Sequence, residues 1–465
     1  MTLTGTSMIS LLLLYLCLYA FAADEEQKRK CPCDDAKNCN PITDWDPKKQ
    51  EVVVISNQSM SYTLWKTDAF TSVIEWNYQL NDNVMCYTHS VGKKYGTYKN
   101  IKTLSFDSSD ADVQTFVKTH REYVQMQFAD MLALDLIDLL GKCDNAGQHV
   151  DGIINVTTAV ISGIKDGTNT KVLCVMPWKP PCFNSNCKIS PSLAKVCDGM
   201  IISPESYTTY CDESCTAKAT MGYGKILYGL SEYLASGWEE SQVLLGIPWH
   251  GYNYTCNSAE TLGKGYLCHL KKVKVDNTSD VTRCDIEGSR KKISIGDKLS
   301  RPGGVVDEIV YMDGNFSEAD WTPWIIDIVQ SGDKSTTYMT WYEDIGSLMR
   351  KYEIVHDHKL KGSVIFTVDD LTYTDIKASK QFNDNMWAWL LHSILSTSTP
   401  SKKKDANLNM SGMMAGIGVG MFILGTLLGI IFSCIVFRRR KGLKPPFSRD
   451  PLADEFRDDD DTNQL

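Results

Sequence analysis

The chain has 465 residues, of which 43% are apolar, 23% charged and 10% aromatic. This composition excludes a disordered chain, a collagen and a coiled coil, and the length fits two to three domains or one large barrel with attachments. The 57 acidic and 48 basic residues give a net charge of −9, which argues against nucleic acid as a partner because phosphate binding needs a basic face.

The N-terminal segment has the features of a secretory signal peptide. Residues 8–23 are apolar apart from Ser10, and acidic residues follow at once. Ala20 and Ala22 supply the small residues of a cleavage site. The sequence therefore predicts a signal peptide over residues 1–22.

Sixteen cysteines are typical of an oxidising compartment rather than of the cytosol. Removing Cys17 in the signal peptide and Cys434 near the C-terminus leaves 14, an even number that predicts disulfide bonds. Cys31 and Cys33 lie too close for an easy mutual bridge, so we expect each to pair elsewhere. Possible local pairs are Cys182 with Cys187, Cys211 with Cys215, and Cys256 with Cys268. These spacings are not those of paired zinc ligands, and we expect neither a metal nor another cofactor.

Short apolar runs alternate with longer helical patterns from residue 31 to residue 395. The predicted strands are Glu51–Ser56, Ser72–Trp76, a weak one near Tyr95–Tyr98, Val150–Val156, Lys171–Met176, Asp198–Ser203, Val243–Trp249 and Gly362–Val368. The predicted helices include Val113–Leu140, Lys218–Ser236 and Lys380–Leu395. This alternation is typical of a parallel sheet. Eight strands predict an α/β fold, a (β/α)8 TIM barrel over residues 31–395, with an insertion over Gly251–Thr336 between strands 7 and 8.

Six Asn-x-Ser/Thr sequons are potential glycosylation sites. We expect glycans at Asn57, Asn253, Asn277, Asn315 and Asn409. The sixth, Asn155, falls in a predicted barrel strand, and a buried strand would keep it unmodified.

The C-terminal part predicts a membrane anchor. A polar linker over residues 396–411 precedes 26 uncharged residues at 412–437, which exceeds the roughly 20 that a spanning helix needs. Basic residues open the tail at 438–465 and place it in the cytoplasm. We expect a single-pass type I protein, N-terminus outside, at the cell surface or in a lysosomal or endosomal membrane. Two Gly-xxx-Gly spacings in the span would allow a dimer.

Three further motifs stand out in the barrel region. They are Cys31-Pro-Cys-(x)5-Cys39-x-Pro-Ile42, Val84-Met-Cys-Tyr-Thr-His89 and Gly246-Ile-Pro-Trp-His-Gly-Tyr-Asn-Tyr-Thr-Cys256. Together they resemble the chitobiase-like enzymes of glycoside hydrolase family 18. The resemblance implies a TIM barrel that handles N-acetylglucosamine linkages by substrate-assisted catalysis. In that family a Glu at the end of the fourth strand donates a proton and a nearby Asp orients the acetamide, in the pattern Asp-Gly-x-(Asp/Asn)-x-Asp-x-Glu.

The catalytic pattern is degenerate where this chain matches it. Aligned from Asp151-Gly152, the pattern puts Val156 at the orienting Asp and Thr158 at the acid. A threonine hydroxyl is no general acid near neutral pH, and the loss of general acid catalysis costs about 10²–10⁴-fold. We therefore assign no catalytic residue there. The fallback carboxylates near predicted strand ends are Glu205, Asp369 and Asp370.

The resemblance also implies a set of sugar contacts. These are Asp151, Trp249, Tyr252, Trp341 and Phe366. The leading hypothesis is a barrel without glycosidase activity that binds N-acetylglucosamine-type glycans or a protein partner. The alternative is an active chitobiase- or chitinase-like hydrolase that uses displaced carboxylates. The sequence leaves enzymatic activity open and argues mildly against it.

Overall fold

Eight parallel strands close into a barrel in the computed structural model of the chain. The structure describes residues 29–46, 48–57, 62–76, 81–140, 149–182, 187–209, 214–262, 265–274, 282–294, 315–371 and 377–390. The barrel strands are β1 (Glu51–Ser56), β2 (Ser72–Glu75), β3 (Lys94–Asn100), β4 (Met131–Asp135), β5 (Lys171–Met176), β6 (Gly199–Ile202), β7 (Val243–Pro248) and, after the strands β8–β16 of an insertion, β17 (Gly362–Phe366). Strand β17 pairs with both β7 and β1 and so closes the ring. The predicted TIM barrel is confirmed.

Alternation along each barrel strand separates an inner from an outer core. In β1, Val53 and Ile55 point into the barrel, whereas Val52 and Val54 pack against the surrounding layer. Because successive side chains of a strand point to opposite faces, one apolar run can serve both cores. The inner core consists of Val53, Ile55, Ile74, Tyr98, Met131, Ala133, Leu173, Val175, Ile201, Leu244, Val364 and Phe366.

Helices follow the barrel strands and cover the barrel, except for one short helix that lies within the insertion. They are α1 (Asp82–Ser90), α2 (Asp110–Met126), α3 (Ile137–Leu140), α4 (Val150–Lys165), α5 (Ile189–Ala194), α6 (Ser206–Thr209), α7 (Tyr223–Ala235), α8 (Ile286–Ser289), α9 (Ile345–Asp357) and α10 (Lys377–Leu390). Short 3-10 turns lie at Ala36–Cys39, Tyr62–Leu64, Glu240–Gln242 and Val368–Asp370. The predicted helices over Lys218–Ser236 and Lys380–Leu395 correspond to α7 and α10.

The fourth barrel strand is not where the sequence predicts it. The predicted strand Val150–Val156 is the start of helix α4, and the true strand β4 lies inside the predicted helix Val113–Leu140. In α4 the buried side chains recur at helical spacing. They are Val150, Ile153, Val156, Thr157, Val160, Ile161 and Ile164. A helix places such positions on one face. The spacing of the apolar residues therefore decides the secondary structure here, although many of them are β-branched and favour a strand.

The predicted insertion lies between β7 and β17, and its described residues form antiparallel β structure. Its strands are β8 (His250–Thr255), β9 (Ser258–Leu262), β10 (Gly265–His269), β11 (Lys272–Lys274), β12 (Thr282–Cys284), β13 (Arg290–Ser294), β14 (Asn315–Ser317), β15 (Thr322–Ser331) and β16 (Lys334–Trp341). Five of them form one sheet in the order β13–β8–β16–β15–β14, in which Tyr252 pairs with Lys292 on one side and Trp341 on the other.

Six disulfide bonds join cysteines of the described residues. They are Cys31–Cys39, Cys33–Cys86, Cys174–Cys197, Cys182–Cys187, Cys215–Cys284 and Cys256–Cys268. The separate partners of Cys31 and Cys33 and two of the three local pairs are confirmed. The predicted pair of Cys211 with Cys215 is wrong, because Cys215 accepts a backbone hydrogen bond from Leu270 and so lies against the insertion, beside Cys284. Cys143 and Cys211 lie outside the described residues.

The sequons fall at different depths. Asn57 and Asn315 are exposed, whereas Asn253 is half-buried in the insertion sheet and donates to Thr340 Oγ1 at 3.0 Å. Asn155 is exposed on α4, so the reason for expecting it to stay unmodified is wrong. Asn277 and Asn409 lie outside the described residues.

Four predicted segments concern targeting and membrane anchoring. The signal peptide (1–22), linker (396–411), membrane span (412–437) and tail (438–465) lie outside the described residues. Within the described ranges between residues 29 and 390, no helix is long and apolar enough to cross a bilayer.

Candidate functional site

Polar and aromatic side chains converge at the carboxyl ends of the barrel strands, where TIM barrels carry their sites. We call this end the mouth. Its described residues include Trp76, Tyr98, Asp135, Glu205, His250, Phe366 and Asp370, which lie at or just after the ends of β2, β3, β4, β6, β7 and β17. Tyr252, Arg290 and Lys292 reach the mouth from the insertion.

Asp135 ends β4 and is held from three sides. Its Oδ2 accepts a hydrogen bond from the Tyr98 hydroxyl at 2.8 Å and from Asn100 Nδ2 at 3.1 Å. Its Oδ1 accepts from the backbone N–H of Ile137 at 3.0 Å. Burial raises the pKa of Asp135 above its usual value, and these donors offset only part of the rise. The result is a fixed carboxyl group that points into the inner core.

Glu205 forms an ion pair with a buried histidine. His250 is fully buried, and its Nε2 lies 2.9 Å from Glu205 Oε1. The Tyr252 hydroxyl donates to Glu205 Oε2, and the Arg290 guanidinium lies 3.9 Å from the centre of the Tyr252 ring. The carboxylate therefore faces the imidazole of His250 and one hydroxyl donor, and the charge of Arg290 adds to their effect.

These contacts keep both partners charged. Burial by itself raises the pKa of Glu205, but His250 and Tyr252 outweigh it and lower the pKa to about 2. Burial likewise lowers the pKa of His250, yet the charge of Glu205 and the bond to Asp370 raise it to about 9. Near neutral pH the pair is thus a carboxylate and an imidazolium.

Asp370 extends this network to the closing strand. Its Oδ2 lies 3.4 Å from His250 Nδ1 and 3.0 Å from Lys292 Nζ, and it accepts the Thr367 N–H at 2.9 Å. His250 and Lys292 lower the pKa of Asp370 in spite of its burial. The neighbouring Asp369 accepts hydrogen bonds from Ser56 Oγ at 3.2 Å and from the Asn57 N–H at 2.7 Å. Each of these three carboxylates therefore already has donors.

Aromatic rings line the opposite side of the mouth. Trp76 is half-buried and stacks on Tyr98 with ring centroids 4.5 Å apart and planes 21° apart. The rings of Phe366 and Trp76 are nearly perpendicular, and their centroids lie 6.0 Å apart. Gly246 permits this arrangement, because a Cβ there would lie 3.1 Å from the Phe366 ring and 2.3 Å from the Ile202 carbonyl oxygen.

Three of the expected sugar contacts do not lie at the mouth. Asp151 is exposed on α4. Trp249 is fully buried outside the barrel, where its Nε1 donates to Tyr352 Oη at 2.8 Å. Trp341 is buried in the core of the insertion. Of the five expected contacts, Tyr252 and Phe366 remain at the mouth.

One group of side chains has the proximity of metal ligands among the residues that the structure describes. The sulfur atoms of Cys31, Cys33 and Cys39 lie close together. Metal binding needs thiolates, and all three sulfurs are in disulfide bonds. This cluster therefore cannot bind a metal in the oxidised protein.

The comparisons with known proteins agree on one fold. No protein-family profile matches the chain. Di-N-acetylchitobiase from Mus musculus is 22% identical over 406 residues, which cover 84% of this chain and 99% of the relative. The enzyme of the same name from Homo sapiens is 21% identical over 368 residues, 78% of this chain and 89% of the relative.

Solved structures give the same result. A chitinase from Rhizomucor miehei matches with a TM-score of 0.50 at 16% identity, over 72% of this chain and 99% of that one. Human YKL-39, described as a pseudo-chitinase with retained chitooligosaccharide binding properties, matches with a TM-score of 0.53 at 12% identity, over 75% of this chain and 100% of that one. The fold of this chain is therefore similar to the barrels of di-N-acetylchitobiases and of chitinases of glycoside hydrolase family 18.

In a family 18 barrel the catalytic pattern belongs on the fourth strand, which here is β4. Counted from Asp130, the pattern puts its orienting Asp at Asp135 and its acid at Ile137. This replaces the alignment from Asp151, because Val156 and Thr158 lie in helix α4. The corrected alignment recovers one carboxyl group and still lacks the acid.

Sequence reasoning missed five residues of the mouth. They are Trp76, Tyr98, Asp135, Arg290 and Lys292. The spacing of Asp130 and Asp135 around an apolar run was a usable signal for the fourth strand. The sequence held no comparable signal for the contacts of Arg290 and Lys292, which depend on how the insertion folds back.

Proposed function

We propose that the mouth binds N-acetylglucosamine oligosaccharides and does not hydrolyse them. The observation that carries this proposal is Ile137 at the position of the acid, two residues after the end of β4. An alkyl side chain has no proton to donate to a leaving oxygen, and this step is worth about 10²–10⁴-fold in rate.

The other carboxylates of the mouth are poor substitutes for the acid. A general acid must hold its proton near the working pH. The pKa values of Glu205 and Asp370 are lowered, mainly by His250. Both groups are therefore ionised where a hydrolase would need them protonated.

Sugar binding needs fewer groups than sugar cleavage. The exposed part of the Trp76–Tyr98 stack offers an aromatic face, and Asp135 offers a carboxylate at the position that orients the acetamide in the family pattern. The relatives named above are di-N-acetylchitobiases, and human YKL-39 is described as retaining oligosaccharide binding. These likenesses support a glycan of the same class as the ligand.

The test measures cleavage and binding in one preparation. We would incubate the full-length chain, expressed in a secretory host and purified in mild detergent, with N,N′-diacetylchitobiose and N,N′,N″-triacetylchitotriose. We expect binding by calorimetry and no release of N-acetylglucosamine. Ile137→Glu should gain hydrolysis, whereas the matched Ile137→Gln should not, because the amide cannot donate an acid proton. Turnover by the unmodified chain would refute the proposal. Absence of binding by every form would move the search to protein partners.

A second candidate is a hydrolase that uses Asp135 as its acid. The raised pKa of this group favours it. The hydrogen bonds that its oxygens accept from Tyr98, Asn100 and the Ile137 N–H offset part of that rise, and its position matches the acetamide-orienting Asp of the family pattern rather than the acid. In this case the unmodified chain would release N-acetylglucosamine and Asp135→Asn would abolish the release.

We further propose that the barrel is displayed outside the cytosol on a single membrane span. The uncharged segment 412–437 with basic residues after it supports the span, and six disulfide bonds support an oxidising compartment. Alkaline extraction of membranes should leave the chain in the pellet, and protease added to sealed cells should remove the barrel. Release into the supernatant at alkaline pH would refute the anchor. Cross-linking of the full-length chain would test the dimer that the glycine spacings allow.

A further inference from the structure

A glycosylation sequon lies at the rim of the mouth. Asn57 directly follows β1, is exposed, and opens the sequence Asn-Gln-Ser. Asparagine in such a sequon is an acceptor of N-linked glycans in secreted proteins. The six disulfide bonds fit folding in the compartment where this modification occurs.

The backbone around Asn57 fixes its place in the mouth. The Asn57 N–H donates to Asp369 Oδ2 at 2.7 Å, so the residue is tied to the turn after β17. On its other side, the Trp76 N–H donates to the Ser56 carbonyl at 2.8 Å. Asn57 thus lies between Trp76, which carries the aromatic face, and Asp369, next to the ionic network.

The register of β1 gives the expected direction of the Asn57 side chain. Val53 and Ile55 point into the barrel, and extending the period of two by one residue beyond Ser56 puts Asn57 on the same side of the chain, at the level of the mouth. The β1–β2 ladder continues through Ser56, which keeps this register to the end of the strand. A glycan on Asn57 therefore begins at the mouth and beside Trp76.

The core of an N-linked glycan has the same chemistry as the proposed ligand of the mouth. Every N-linked glycan begins with two β1,4-linked N-acetylglucosamine units, which are the N,N′-diacetylchitobiose unit. This is the same class of sugar that the mouth is proposed to bind. We propose that the glycan on Asn57 is an intramolecular ligand of the mouth and competes with free N-acetylglucosamine oligosaccharides. The inference rests on the proposed function.

Tethering makes even weak binding effective. A short flexible tether gives an effective concentration on the order of 1 mM. A glycan core with an intrinsic dissociation constant of about 0.1 mM would then weaken the apparent affinity for a free oligosaccharide about tenfold. The mouth would be occupied by its own glycan until a tighter or multivalent ligand displaces it.

The test compares glycoforms of the full-length chain made in a glycosylating host. Ser59→Ala and Asn57→Gln each remove the sequon by a different change. Asn155→Gln is the matched control, because it removes an exposed sequon on α4, outside the barrel. Glycopeptide mass spectrometry reports occupancy of Asn57, and calorimetry with N,N′,N″-triacetylchitotriose reports affinity.

We expect Asn57 to be occupied, and both sequon variants to bind the trisaccharide about tenfold more tightly than the unmodified chain and than Asn155→Gln. An unmodified Asn57, or equal affinities of all forms that bind, would overturn the intramolecular ligand and leave the proposed function standing. Failure of every form to bind the trisaccharide would instead refute the proposed function, and the intramolecular ligand with it.

Discussion

Replacing His250 by glutamine tests the charge state of the mouth. Glutamine keeps a polar side chain and removes the positive charge that faces Glu205 at 2.9 Å. In the folded protein the pKa of His250 is raised from 6.5 to about 9. At 1.36 kcal/mol per pKa unit, this shift corresponds to a stabilisation on the order of 3 kcal/mol.

The sign of the pH dependence follows from the raised pKa. Stabilisation by the histidine is fully present below the unfolded pKa of 6.5 and is lost as the pH rises through about 9. Stabilisation by Glu205, whose pKa is lowered to about 2, is present above its unfolded value of 4.5 and is lost as the pH falls towards 2. The pair therefore stabilises the fold most between pH 4.5 and pH 6.5, where both contributions are present in full.

Urea unfolding followed by tryptophan fluorescence measures the effect. Between pH 5.5 and pH 9.5, the difference in the free energy of unfolding between the parent and His250→Gln should fall by about 3 kcal/mol. Glu205→Gln is the control, because it removes the other partner of the same ion pair. The free energy of unfolding of this variant should therefore vary less with pH over the same range. Parallel pH profiles of the parent and His250→Gln would refute an ion pair at this site.

Three further substitutions test other parts of the molecule. Trp76→Ala should weaken trisaccharide binding about 2- to 10-fold in calorimetry, the range expected for an aromatic contact, while Trp341→Phe, in the core of the insertion, should leave it unchanged. Asp135→Asn should weaken the same binding about tenfold, because it removes a charged hydrogen-bond acceptor; unchanged affinity would exclude Asp135 from the sugar site. Cys215→Ser opens a disulfide bond that spans 69 residues and should lower the free energy of unfolding by about 4 kcal/mol in urea titrations. An unchanged free energy of unfolding would contradict this expectation.

The strands with clear boundaries in the sequence were predictable. The predicted bounds of β1 and β5 coincide with the observed ones, since both are compact apolar runs. Strand β4 lacks such boundaries. Helix α2 ends without glycine or proline, and the turn into β4 uses Phe128 at φ 51°. A non-glycine residue in this left-handed region is uncommon, so neither a glycine nor a proline marks the boundary between helix and strand.

The site was predictable only in part for a related reason. Glu205 and Asp370 were singled out because they follow predicted strands, and they do lie at the mouth. Their charge states, however, depend on His250 and on Arg290 and Lys292 from the insertion. Contacts between segments so far apart in sequence follow from tertiary packing, which a single sequence does not encode in any short pattern.

The way the insertion is attached bears on how such a protein can change over time. The chain leaves the barrel at β7 and returns before β17, two strands that pair side by side, with Pro248 opposite Phe366. Its first and last strands are also paired, through Tyr252 and Trp341. The whole segment can therefore be exchanged for another without moving a barrel strand. Each exchange would replace Arg290 and Lys292. A single genetic event would therefore change the number of positive charges at the mouth and leave the barrel strands unchanged.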